Sequence, residues 1–77
     1  SDNTEIGICL LYCYKDILLC ATHDNNIIAF VYNEIENRLE KLDIVSNSSR
    51  VTSFALYRND LFYSTKNGGL FKLLISK

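Results

Sequence analysis

The sequence has no proline, no methionine and no tryptophan, and only three glycines and one histidine among its 77 residues. Without proline there is no fixed backbone kink and no polyproline segment. No long hydrophobic run is present: the longest, Ile6 to Tyr14, is stopped by Lys15 and Asp16, well short of the roughly 20 residues needed to span a bilayer as a helix. Neither sign of charge is in excess. Eight basic residues stand against nine acidic ones, for a net charge of −1, so no general field draws the chain onto nucleic acid or anionic membrane. Nothing in Ser1-Asp2-Asn3-Thr4-Glu5 has the basic start of a secretory signal, and the chain reads as a segment of something longer.

What the chain does have is apolar residues, 48 % of the total, with five tyrosines and four phenylalanines. That is too rich for a disordered segment and more than a domain of this size can readily hide, so a covering neighbour is expected. Cys9, Cys13 and Cys20 are odd in number and sit inside apolar runs, where a thiol behaves as a small hydrophobe. They point to a reducing, intracellular setting, cytoplasmic or nuclear. Asn47-Ser48-Ser49 matches a glycosylation acceptor, which that setting would leave unused. Charge is uneven along the chain: residues 46 to 77 carry Arg50, Arg58, Lys66, Lys72 and Lys77 against Asp60 alone.

The sequence also repeats. Shifted by 43 positions and laid over itself, Tyr14-Lys15 falls on Tyr57-Arg58, Thr22 on Thr65, Leu18-Leu19 on Leu61-Phe62 and Ile27-Ile28 on Leu70-Phe71, without a gap. A period in this range marks a stack of supersecondary units. Within each copy, apolar runs rich in Ile, Val, Phe and Tyr are separated by Lys-Asp, Asn-Asp, Asn-Asn or Gly-Gly, the pattern of short strands joined by tight turns. Strands are predicted at 6–13, 17–22, 27–32, 39–45, 51–57, 61–65 and 69–75, forming an antiparallel meander. The second strand of each copy is apolar at consecutive positions and belongs in the middle of a covered sheet. Arg38 to Ile44 is charge-laden, as an outer strand should be. Ile35, Leu39 and Leu42 also recur at helical spacing, so a short helix over 33–45 remains an alternative.

Ser46-Asn47-Ser48-Ser49-Arg50-Val51-Thr52-Ser53-Phe54-Ala55-Leu56 resembles the opening of a WD repeat, and Leu61 to Leu73 resembles the rest of that repeat, with Asn67-Gly68 at its Asp-Gly turn. The first copy fits the same frame through Asp24-Asn25-Asn26-Ile27 and Phe30. The resemblance covers nearly the whole chain. It implies an all-β fold of two successive blades of a β-propeller: an N-terminal extension at 1–5, a first four-stranded blade at 6–45 and a second at 46–77 lacking its outer strand. Ser46-Asn47 replaces the family's Gly-His pair, and Phe30-Val31 and Leu73-Leu74 replace its closing Trp-Asp. The family's hydrogen-bonded network is therefore expected to be missing, leaving apolar packing as the main source of stability.

Chemistry is not indicated. His23, in the turn His23-Asp24-Asn25-Asn26, has no nucleophile elbow or triad context. Cys9, Cys13, Cys20 and His23 lack the close pairing of zinc ligands, and Gly68-Gly69 lacks the Lys-Ser or Lys-Thr of a phosphate loop. No catalytic residue, metal or cofactor is assigned. In a WD-repeat-like propeller the resemblance implies that partners meet the loops between second and third strands and those between blades. Here these carry His23, Asp24, Arg50 and Lys66, taken as partner-binding candidates. The expected function is a non-catalytic scaffold that binds other proteins, its remaining blades coming from the same parent chain or another. Two alternatives stay open: an enzymatic propeller whose catalytic groups lie in absent blades, and a self-contained small β-barrel binding domain.

Overall fold

A computed structural model describes residues 7–75, and every regular element among them is a strand. They are β1 (Ile8–Tyr14), β2 (Ile17–Thr22), β3 (Asn26–Asn33), β4 (Arg38–Ser46), β5 (Val51–Tyr57), β6 (Asp60–Thr65) and β7 (Leu70–Leu73). They form two antiparallel meanders, a four-stranded sheet β1-β2-β3-β4 and a three-stranded sheet β5-β6-β7, joined by the linker 47–50. Among the described residues the two sheets stay separate and close no barrel, so the alternative of a small barrel is not the architecture found. The predicted extension at 1–5 and the first residue of the predicted first strand, Ile6, lie outside the described residues. β7 ends at Leu73, so Leu74 and Ile75 are not strand.

The segment with helical spacing is strand β4, and its geometry explains the false period. Ala29 pairs with Asp43 and Phe30 with Lys41, so Leu42 is an extra residue in a bulge, which turns its side chain toward the core. Ile35 sits in the 34–37 hairpin loop and is 96 % exposed. Asn33 closes this loop by accepting the Glu36 amide at 3.0 Å, and Asn37 supplies the positive φ of 57°.

The 43-residue repeat is structural down to its irregularities. Ile8 pairs with Thr22 and Val51 with Thr65; a bulge follows Ile8 and its counterpart follows Val51. Leu18 pairs with Phe30 as Leu61 pairs with Leu73. Positive φ recurs at Lys15 and Arg58 in the first hairpins and at Asn25 and Gly68 in the second. The Arg58-Asn59 turn has φ of 51° and 66°, the type I′ geometry that suits the twist of a two-residue hairpin.

Because side chains alternate across a sheet, the register assigns each residue to a face. One face of the first sheet carries Leu10, Tyr12, Tyr14, Ile17, Leu19 and Ala21. It packs on the face of the second sheet that carries Phe54, Leu61, Tyr63 and Leu73. Tyr12 and Phe54 rings meet at 5.7 Å. Tyr14 Oη donates to the Asn59 carbonyl at 3.2 Å, tying the two short turns at that end. Leu19 lies at the centre of this contact with no exposed surface. Leu19→Ala should therefore lower unfolding free energy by about 2–5 kcal/mol, read from urea melts. A loss under 1 kcal/mol would mean that the two sheets are not packed through this face.

Candidate functional site

The end of the molecule opposite the short turns is built from two copies of one hairpin. In the first, the Thr22 hydroxyl donates to the Asp24 carboxylate and accepts the Asn26 amide at 3.1 Å, while the Asn25 amide reaches the Thr22 carbonyl at 3.2 Å. In the second, Thr65 Oγ1 donates to Asn67 Oδ1 at 2.7 Å and accepts the Gly69 amide at 3.2 Å, and the Gly68 amide reaches the Thr65 carbonyl at 3.0 Å. A threonine that ends the strand thus holds the turn by satisfying an amide the ladder leaves free. Glycine at 69 is steric necessity: a Cβ there would lie 2.5 Å from the Phe71 ring and 2.7 Å from Thr65 Oγ1.

The linker is bonded to both hairpins. The Asn47 amide donates to the Asn25 carbonyl at 3.1 Å, and Tyr63 Oη donates to Asn47 Oδ1 at 2.6 Å. The Asn67 amide reaches Ser49 Oγ at 3.3 Å and the Lys66 amide reaches the Arg50 carbonyl at 2.8 Å. The matching bond in the first unit runs from the His23 amide to the Gly7 carbonyl at 2.9 Å. The turns at this end are therefore held by polar ties as well as by the strand ladders. Thr22, Thr65, Ser49, Asn47 and Tyr63 supply these ties. The sequence showed Thr22 over Thr65 but gave no sign of the Asn47–Tyr63 bond, which spans strand and linker.

All four candidate contact residues lie at this end. His23 and Asp24 share the first hairpin turn, Lys66 lies in the second, and Arg50 ends the linker beside it. All four are exposed, and they stand on backbone fixed by the bonds above. His23 and Asp24 belong to the first unit and Arg50 and Lys66 to the second.

Elsewhere the chemistry is sparse. Thr52 and Ser53 share Ser64 through hydroxyl contacts of 2.8 and 2.7 Å on the exposed face of the second sheet, with no basic group in the cluster. A cavity of about 240 Å³ at the short-turn end is lined by Tyr14, Lys15, Asp60, Lys72, Leu73 and Ile75 among others. Its lysine Lys72 pairs with Asp60 at 3.6 Å, and Lys15 lies over the Tyr14 ring at 5.2 Å. No group of three or more His, Cys, Asp or Glu among the described residues could hold a metal ion. No described helix is long and apolar enough to cross a membrane. The Asn47 amide nitrogen is buried and its oxygen is bonded to Tyr63, so the glycosylation motif presents no accessible acceptor in the folded chain. Burial pushes the Cys20 thiol above its ordinary pKa, while Cys9 and Cys13 are exposed.

Two outcomes follow. Thr65→Val leaves the Gly69 amide without its acceptor and should cost about 1–3 kcal/mol in a urea melt; an unchanged midpoint would mean the turn is held by its backbone alone. In dilute native protein, iodoacetamide should modify Cys9 and Cys13 at least tenfold faster than Cys20, since the thiolate is the reactive form. Equal rates, followed by mass spectrometry, would place Cys20 at the surface.

No protein-family model matches the sequence, and neither the curated proteins nor the solved structures give a match.

Proposed function

We propose that this chain forms two consecutive blades of a WD-repeat-like β-propeller and serves as a non-catalytic scaffold that binds other proteins within an intracellular assembly. The observation that carries the reading is the relation between the two sheets. They are copies in register, bulge and turn, yet they meet through opposite faces, the Leu19 side of one on the Leu61 side of the other. Leu61 is the counterpart of Leu18, not of Leu19. Contacts of this head-to-tail kind generate rings when the rotation closes, and propellers close with about four to eight such sheets. A scaffold also needs rigidly mounted polar loops, and the bonded turns at one end supply them.

The test is made on the tagged chain in cells. His23→Ala, Asp24→Asn, Arg50→Ala and Lys66→Ala are combined; asparagine keeps the acceptor that Thr22 requires, as Asn67 does for Thr65. Co-purifying proteins compared by quantitative mass spectrometry should lose at least one specific partner, while the thermal melt moves by less than about 3 °C. Retention of every partner would show that this end is not the contact face.

A further inference from the structure

Stacking through opposite faces leaves one of each kind open. The free face of the first sheet carries Leu11, Cys13, Leu18 and Phe30, with Leu11 59 % exposed, around Cys20 and Ile28, which their neighbours already bury. Their counterparts 43 residues on are Phe54, Leu56, Leu61, Tyr63, Phe71 and Leu73, of which the first sheet packs on Phe54, Leu61, Tyr63 and Leu73 while Leu56 and Phe71 stay about half exposed. The free face of the second sheet carries Ala55, Tyr57, Phe62 and Leu70 beside Ser53, Ser64 and the Asp60–Lys72 ion pair, with Tyr57 62 % and Leu70 74 % exposed. Ser53, Ala55, Tyr57, Phe62, Ser64 and Leu70 are the counterparts of Leu10, Tyr12, Tyr14, Leu19, Ala21 and Ile27 on the face that does the covering, and Asp60 and Lys72 are those of Ile17 and Ala29. The molecule thus displays the repeat positions of both halves of its internal interface, with the Asp60–Lys72 ion pair where the covering half has Ile17 and Ala29.

The geometry points to a second copy of this chain as the occupant, its Tyr57 face seated on the Leu11 face of the first, continuing the internal stack by one unit. This rests on reading the sheets as consecutive repeat units. Two details favour this orientation over a symmetric pairing of like faces. Tyr14 spans the internal interface to the Asn59 carbonyl; Tyr57 occupies the same repeat position, and the counterpart of Asn59 is Asp16, whose carbonyl sits on the open short turn. The small Ala55, Ser53 and Ser64 leave room opposite Leu11 and Cys13, where the internal contact pairs Tyr12 with Phe54. The Leu11 face is apolar at its centre, with Thr22, Asn26 and Ser46 toward one end and Lys41 on its edge strand, and such a patch is of the kind that seeks a partner.

Sedimentation velocity on the full 77-residue chain over increasing concentration tests this, with Leu11→Asp and Leu70→Asp as blocking variants on the two faces. Both side chains are exposed, so both variants should melt within a few degrees of the parent. The parent should self-associate, each variant alone should sediment as a monomer, and their equimolar mixture should form a heterodimer, because one intact face of each kind survives. Tyr57→Phe should weaken self-association about three- to tenfold, the loss of one hydrogen bond, and Cys13 should be protected from alkylation in the assembly. A folded parent that stays monomeric at hundreds of micromolar overturns the proposal, as does a mixture that stays monomeric. So does association abolished by Leu11→Asp but untouched by Leu70→Asp, the mark of a symmetric pairing. None of these readouts involves the loop residues or their partners, so this proposal and the scaffold reading fail separately.

Discussion

Everything in this molecule depends on burial of the Leu19 face of the first sheet against the Leu61 face of the second. A four-stranded and a three-stranded meander of this size are each too thin to have an interior. Only where the two faces meet do Ile17, Leu19, Ala21, Ile27, Leu61, Tyr63 and Leu73 leave water together. The polar ties are placed around that contact rather than within it. Tyr14 to Asn59 closes one end, and Asn47 with Asn25 and Tyr63 closes the other, so the apolar layer fixes the stacking and the hydrogen bonds fix its register.

The strand pattern was open to reading in the sequence because turn chemistry and β-rich apolar runs agreed at almost every boundary. β2 at Ile17–Thr22 and β5 at Val51–Tyr57 fall where they were predicted. β4 was ambiguous for a physical reason: a bulge at Leu42 and a surface leucine and isoleucine at 39 and 35 together imitate a helical stripe. The pairing of faces was not legible, since a period of 43 says that two units are alike and nothing about which sides meet. Of the candidate contact end, the loops carrying His23, Asp24, Arg50 and Lys66 could be read from turn residues. The Ser49, Asn47 and Tyr63 ties that hold those loops could not, because each joins residues from separate elements whose closeness only the fold creates.

The functional reading grows from the same asymmetry. A stack whose units meet through unlike faces has no natural end, and its outward faces keep exposed apolar side chains such as Leu11 and Leu70, the latter beside Ser53 and Ser64. Its loops, by contrast, are polar and locked. On the proposed reading, such a body presents charge rigidly on its rim and continues its stacking through its faces.

The central claim is that unlike faces of two copies of one unit form the core. The most direct measurement is nuclear Overhauser contacts in a dilute, isotope-labelled sample. The account predicts contacts from the Tyr12 ring to the Phe54 ring and from Leu19 methyls to side chains of the second sheet. Contacts to the second sheet from Leu18 and Phe30 instead would mean that like faces meet, and the head-to-tail stack would be contradicted.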